Sequence, residues 1–270
     1  MNKLWSVAFL TFKEGLKHRI LYCVFIVALL AMTLSVLISG FFMRDISKII
    51  LDFCLATISI GGLLVPFFLG ITLLAGDIDK RTVVTILSRD ISRPQYILGK
   101  YIGISLLTGM IMAFFFAATI IAIQGGILLY GEHYFKSYSL LAVFSSTLLN
   151  YFGISILNAV VVLWCSITTT SFLATLLTLA TYLVGHLMDD VVRFIESPPP
   201  GILISMPLQK TVQATQYIFP NLAAFDHKLS AAHGIPIPFI QFSVLTSYAG
   251  VYIVAVLSLS IVLFTRRDLC

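Results

Sequence analysis

The side chains in this sequence that could do chemistry are few, and the densest group lies in one short stretch. The stretch SRDISRPQYILGK, residues 88–100, holds two arginines, an aspartate and a lysine within thirteen positions, between two long apolar runs. Arg89 and Arg93 are four residues apart, and Pro94 favours the start of a helix because its fixed φ suits the first helical turn. The sequence therefore predicts a basic turn followed by a helix that leads into an apolar segment.

Catalytic and ATP-binding motifs are missing from the sequence. It contains no HExxH or GxSxG motif and no GxxxxGK[ST] phosphate loop, and its five histidines are scattered. The sequence therefore predicts no catalytic residues and no metal site, and any energy from ATP must come from a partner. The polar residues expected inside the apolar segments are Gln124, Asn150, Asn158 and, near a segment end, His186. The two asparagines and Gln124 are candidates for a substrate path, and interhelical hydrogen bonding explains the asparagines equally well.

Composition places these residues in a membrane protein. Of the 270 residues, 59% are hydrophobic and only 11% are charged, whereas an ordinary soluble domain carries about 25% charged residues. Uncharged segments at 20–43, 53–76, 101–131, 137–188 and 239–265 are long enough to cross a bilayer. The fourth segment has room for two helices, divided by the polar cluster at 168–171. We expect an all-α polytopic membrane protein with six spans in a transmembrane domain at 20–270.

Loop charges predict the orientation of these spans. Eleven of the 17 Lys and Arg residues fall on the side that holds both termini and the loop at 76–100, so both termini are expected in the cytoplasm. Residues 1–19 are expected to form an amphipathic helix in the cytoplasmic headgroup plane, although an ordinary segment that leads into the first span remains an alternative. The long loop at 189–238 is expected outside, as a structured connector, a lid or a docking surface.

The loop at 76–100 is expected to form a surface that a soluble partner binds. Asp77 and Asp79 favour a helix N-terminus, and an apolar stripe, a basic turn and a second helix follow. A partner that holds such a surface could push on two membrane helices. An equally simple role for the arginines is to anchor lipid headgroups. No basic face or motif for nucleic acid is present.

The order of these features resembles the permease subunit of type-2 ABC exporters (ABC-2 type transporters). The matching positions in the loop are Asp77-Ile78, Thr82, Ser88-Arg89, Ile91-Ser92-Arg93 and Gly99-Lys100, and the segments FPNLAAFD, residues 219–226, and FTRRDL, residues 264–269, also match. The sequence departs from the family pattern at Asp77, Arg81 and Asp90, where the family usually has Glu, Gly and Pro.

The resemblance implies a function and a set of partners. It implies a homodimer of permeases in the bilayer of a bacterial inner membrane, each gripped by a cytoplasmic ABC ATPase that binds ATP and Mg²⁺, while this chain carries no cofactor. The residues implied to couple the two proteins are Asp77, Asp79, Arg81, Thr82, Ser88, Arg89, Arg93 and Lys100. A hydrophobic or amphiphilic substrate would be exported. The alternative is a scaffold or signal-transmitting subunit that connects the ATPase to an extracytoplasmic partner without transport.

Overall fold

The computed structural model describes residues 3–42, 46–79, 91–135, 138–196, 215 and 219–266, with the side chains of 77–79 and 196 left undescribed. This part of the chain is almost entirely helical and contains no strand. Its helices are α1 (Lys3–Leu16), α2 (Arg19–Ser39), α3 (Ile46–Leu64), α4 (Ile71–Asp79), α5 (Arg93–Tyr130), α6 (Leu140–Ile167), α7 (Ser171–Glu196), α8 (Lys228–Ala232) and α9 (Phe239–Thr265). The chain is therefore an all-α protein, as its composition predicts.

Six segments of the described chain are long and apolar enough to cross a membrane, which confirms the predicted number of spans. They are Arg19–Ser39, Ile46–Gly76, Arg93–Tyr130, Leu140–Ile167, Ser171–Ile195 and Phe239–Thr265. The predicted division of the fourth apolar segment is also confirmed, because α6 ends at Ile167 and α7 begins at Ser171. The second span begins at Ile46 rather than 53 and so includes Lys48 and Asp52. The protein is a multi-pass membrane protein.

Helix α5 is the centre of the bundle and packs against α1, α2, α3, α6 and α9. Its 38 residues extend about 57 Å at 1.5 Å per residue, well beyond a hydrocarbon core of about 30 Å. Ser92 caps its N-terminus by accepting a hydrogen bond from the backbone N–H of Gln95, whose side chain accepts one from Ser92 N–H. The excess length of α5 allows it to project beyond the bilayer.

The second span is interrupted by a π-helical turn at Val65–Gly70, which separates α3 from α4. Pro66 lies in the first turn of this π-helix and cannot donate a backbone hydrogen bond there. A π-turn inserts an extra residue into the helix and is often found at functional sites. The two halves of the second span therefore meet at a local defect in the helix.

Helix α1 packs along the start of α5. A Cβ atom at Gly99 would lie 2.7 Å from the Cβ of Val7, and one at Gly103 would lie 2.7 Å from the carbonyl oxygen of Ala8. Eight residues beyond the Val7 contact, Gly15 meets Leu107, so the two helices run side by side in the same direction. The predicted helix is confirmed. At 100° per residue Trp5 belongs to its apolar face and Val7 does not, but Val7 is buried while Trp5 is 51% exposed. Its place in the headgroup plane stays a prediction.

The end of the bundle that carries residues 3 and 266 is called the terminal end, and the opposite end is called the distal end. At the distal end α7 continues through Glu196, eight residues into the region predicted as the 189–238 loop. The later part of that region, residues 219–238, is not a free loop, because α8 packs against α3 and α6. We call residues 219–232 the re-entrant segment.

Candidate functional site

The re-entrant segment is held between the spans by close backbone contacts. The backbone N–H of Leu222 donates a 3.0 Å hydrogen bond to the carbonyl oxygen of Gly185 in α7. A Cβ atom at Gly185 would lie 2.5 Å from the carbonyl oxygen of Pro220, and one at Gly153 in α6 would lie 3.0 Å from the Cβ of Phe225. Two glycines in neighbouring spans therefore provide the room in which this segment packs.

Side-chain hydrogen bonds reinforce the base of the segment. The amide nitrogen of Asn221 donates to Asp189 at 3.1 Å, while its carbonyl oxygen accepts from the backbone N–H of Ala224 at 3.1 Å. The backbone N–H of Asn221 donates to the hydroxyl of Tyr248 in α9. Asn221 thus connects the re-entrant segment to α7 and α9.

A cavity of about 120 Å³ lies between α3, α6, α7 and this segment, and we call it the intrabundle cavity. Its lining is formed by Ser59, Ile60, Leu63, Asn150, Gly153, Ile154, Leu157, Tyr182, His186, Leu222, Phe225, Asp226 and Lys228. The lining therefore combines apolar residues, which we call the apolar wall, with an ion pair, an amide and an imidazole, which we call the polar wall. Such a combination is typical of a ligand pocket.

The polar wall is a chain of contacts across three elements. The ammonium of Lys228 lies 3.0 Å from a carboxylate oxygen of Asp226 and donates a 3.5 Å hydrogen bond to the hydroxyl of Ser59 in α3. Ser59 in turn donates to the amide oxygen of Asn150 in α6 at 3.5 Å. The side chains of Lys228 and Asp226 are about one-third exposed. This wall can therefore offer both charges and hydrogen bonds to a ligand.

Aromatic side chains continue from the cavity toward the π-helical turn. The ring of His186 stacks on Tyr182, with centroids 5.7 Å apart and planes 13° from parallel. Tyr182 meets Phe67 of the π-helical turn edge to face, with centroids 5.9 Å apart. The cavity wall is thus in direct contact with the irregular part of the second span.

Of the three residues predicted for a substrate path, only Asn150 lines the intrabundle cavity. Asn158 is 0% exposed and its amide nitrogen donates to the hydroxyl of Thr108 in α5 at 3.1 Å. Gln124 is exposed on α5. The eight-residue separation of the asparagines turns a helix by about 80° past two full turns, so they serve different faces of α6.

At the terminal end, Arg93 fastens the start of α5 to the end of α9. Its guanidinium donates hydrogen bonds to the carbonyl oxygens of Phe264 at 3.2 Å and Thr265 at 2.9 Å. Tyr96, one turn further along α5, stacks on the ring of Phe264 with centroids 5.8 Å apart. A cation at a helix C-terminus is favourable because it meets the carbonyls that the helix leaves without partners.

Lys100 fastens α5 to α4. Its side chain is 2% exposed, its ammonium donates a 3.0 Å hydrogen bond to the carbonyl oxygen of Leu73, and it lies 5.8 Å from the centre of the Tyr96 ring. A side chain buried to this degree within the chain would influence a partner through the position of α4 rather than by direct contact.

The other predicted coupling residues lie largely outside the described structure. The backbone of Asp77 and Asp79 belongs to the last turns of α4, not to a helix N-terminus as predicted, but their side chains are not described. The residues outside the described ranges altogether are Arg81, Thr82, Ser88 and Arg89. Their role in coupling stays a prediction.

Sequence reasoning missed Ser59, Tyr182, Asp226 and Lys228, which line the cavity. Asp226 ends the FPNLAAFD segment, which was matched only as part of the family resemblance, and no role in a site was predicted for it. The only available signal was that this segment, apart from Asn221, is apolar up to its last residue. A re-entrant path depends on glycines more than 30 residues away in the chain, which no local pattern reveals.

Comparison with protein-family models and with curated proteins gives no match for this chain. Among the described residues, no group of three or more His, Cys, Asp or Glu could hold a metal ion. The arrangement supports noncovalent binding of a small amphiphilic group in the intrabundle cavity, together with a mechanical connection between spans at the terminal end.

Proposed function

We propose that this chain is the permease subunit of an ATP-driven ABC exporter, with its termini in the cytoplasm of a bacterial cell and a separate ATPase bound at residues 76–100. The observation that carries the proposal is that hydrogen bonds connect the helices on both sides of that region, α4 and α5, to each other and to α9. Lys100 ties α5 to Leu73 of α4, and Arg93 ties α5 to Thr265 of α9. A force applied between α4 and α5 would therefore reach three spans.

Helix α1 supports the same function. It packs closely against Gly99 and Gly103, within the part of α5 that carries Arg93 and Lys100. Close helix contacts over small residues are rigid because the backbones interlock. An ATPase that seats against α1 and the 76–100 region would thus act on one connected body.

The π-helical turn connects the terminal parts of α1, α4 and α5 to the intrabundle cavity, so that movement of these helices can reach the cavity. Movement of α4 would be transmitted to Val65–Gly70, where Phe67 contacts Tyr182 of the cavity wall. Because the π-turn interrupts the regular helical hydrogen bonding and Pro66 removes one backbone donor there, the two halves of the second span could move separately. ATP binding by the partner would in this way change the shape of the intrabundle cavity.

The proposal is tested by purifying the full chain from native membranes in mild detergent and reconstituting it with the ATP-binding protein that accompanies it. We expect this chain to stimulate ATP hydrolysis, and Arg89→Glu to reduce the stimulation while membrane insertion is retained. Glu132→Lys is the matched control, because it also reverses the charge of an exposed side chain, but this residue lies at the distal end and does not line the intrabundle cavity.

Two outcomes would overturn the proposal. Arg89→Glu could leave stimulation unchanged, which would remove the coupling role of the loop. The complex could also hydrolyse ATP without moving any amphiphile across the vesicle, which would favour a scaffold or signal-transmitting subunit with an extracytoplasmic partner.

A further inference from the structure

The geometry points to a site for a cationic amphiphile at the distal end, with its apolar group in the intrabundle cavity and its amine among the carboxylates beside it. The site exists in the single chain, while its use as a transport site rests on the proposed function. A second, wider cavity of about 490 Å³ shares His186, Asp226 and Lys228 with the intrabundle cavity. We call this second cavity the vestibule.

The size of the intrabundle cavity limits the apolar group. A volume of about 120 Å³ is slightly smaller than the apolar cavity of roughly 150 Å³ that admits benzene in another protein. Its apolar wall is formed by Ile60, Leu63, Ile154, Leu157 and Phe225. A single ring or a short alkyl chain fits this space, whereas a complete lipid does not.

The charged residues that line the vestibule determine which charge on the ligand's head group is favoured. Among the residues that the structure describes, its lining includes the carboxylates of Asp52, Asp190 and Asp226 and the basic side chains of Lys228 and His186. Three carboxylates against one ammonium leave an excess of two negative charges when the imidazole is neutral. Because interactions between charges are stronger near a protein than in bulk water, an amine is attracted here and a carboxylate or phosphate is repelled.

Lys228 shows where the amine would bind. Its own ammonium lies 3.0 Å from Asp226 and 3.5 Å from Ser59, so it occupies a position with a carboxylate and a hydroxyl as neighbours. A ligand amine can take the same place when Lys228 turns toward the vestibule, where its side chain is already about one-third exposed. The ammonium of Lys228 therefore competes with the ligand amine for this position, and removing it should tighten binding of the amine.

The test uses three probes that share one ring and chain: 4-phenylbutylamine, 4-phenylbutanol and 4-phenylbutyrate. Each is titrated calorimetrically into the full chain in nanodiscs of phosphatidylcholine, and the heat from empty nanodiscs is subtracted. We expect the amine to bind at least about tenfold more tightly than the alcohol or the acid, which corresponds to about 1.4 kcal/mol. Equal affinity for the amine and the alcohol would overturn the assignment of a cationic ligand.

Variants test the position of the amine. Asp226→Asn should weaken binding of the amine by about tenfold and Lys228→Met should tighten it about three- to tenfold, as expected for changes of one charge near the ligand. Glu132→Gln is the matched control, because this exposed carboxylate is also at the distal end but lines neither cavity. If Asp226→Asn does not fold, Asp190→Asn, on the exposed surface of α7, replaces it with the same expected direction.

An ion pair with a purely structural role gives a different result. In that case Lys228→Met and Asp226→Asn would both lower the melting temperature and neither would change the affinity for the amine, which would overturn the proposal. Binding without an associated ATPase would support the site while contradicting the proposed permease. Conversely, an ATPase complex whose chain does not bind the amine would leave the permease intact and remove the site.

Discussion

The guanidinium of Arg93 donates a 2.9 Å hydrogen bond to the carbonyl oxygen of Thr265, 172 residues later in the chain. This contact joins the first residue of the third span to the last residue of the sixth. Since Tyr96 stacks on Phe264 beside it, the two helix ends form one unit. Arg93, predicted from sequence as a contact for an ATPase, has an intramolecular partner in this structure.

Replacing Arg93 should loosen the junction between α5 and α9. We expect Arg93→Gln to lower the free energy of unfolding by about 1.5 kcal/mol, the low end for a hydrogen bond from a charged group, because the contact is partly exposed. Thermal unfolding in detergent measures the change. Arg266→Gln removes the same charge at the exposed end of α9 and should cost only a few tenths of a kcal/mol. Equal effects of the two substitutions would contradict the junction.

A methyl group at Gly103 should displace α1. In Gly103→Ala the new Cβ would lie 2.7 Å from the carbonyl oxygen of Ala8, so we expect a loss of about 1–3 kcal/mol in stability. Trypsin should also cleave faster near Lys17. Gly125→Ala lies in the same helix with nothing within 4 Å of the new Cβ, and should be neutral or up to about 1 kcal/mol stabilising. If both variants resist trypsin equally, α1 is not held at Gly103.

Substitution of Lys100 should reduce the stimulation of the ATPase but should not prevent the ATPase from binding to this chain. In Lys100→Met the side-chain volume is nearly retained, but the hydrogen bond to Leu73 is lost, so α4 is no longer tied to α5. We expect the ATPase to co-purify as before while its stimulation falls about tenfold, which corresponds to about 1.4 kcal/mol of activation free energy. Loss of the ATPase from the purified complex would instead indicate that Lys100 contributes to the binding surface itself.

The two asparagines of α6 should respond differently. Asn158→Ala removes the interhelical hydrogen bond to Thr108 and should cost about 0.5–2 kcal/mol in stability, with binding of 4-phenylbutylamine little changed. Asn150→Ala should reduce that binding with little loss of stability, because Asn150 lines the cavity and its bond to Ser59 is long. Melting temperatures and calorimetric titrations distinguish the two, and a reversed pattern would contradict the assignment.

The six spans could be predicted because hydrophobicity and helix length are local properties of the sequence. The buried face of α1 could not be predicted in this way, because Val7 is buried only where Gly99, on another helix, leaves room for it. An amphipathic pattern predicts the buried face of a helix on the assumption that the helix lies between water and lipid. Here α1 packs against α5, and the residues of α1 that are buried are those that face the glycines of α5.

Of the residues that line the intrabundle cavity, only Asn150 was predicted as part of a substrate path. Lys228 and Asp226 were expected only as part of the long outer loop at 189–238, and charges are costly within a membrane. They are accommodated because they pair with each other and because Gly153 and Gly185 make room for the segment that carries them. These are contacts between distant parts of the chain, and a local pattern carries no information about them.

The most direct test of the permease assignment is ATP hydrolysis by the reconstituted complex in proteoliposomes, measured together with movement of 4-phenylbutylamine across the membrane. We expect the two activities to appear together, both to require this chain, and both to fall in Arg89→Glu but not in Glu132→Lys. Purified chain that associates with no ATP-hydrolysing protein in its native membrane, or hydrolysis that is independent of this chain, would contradict it.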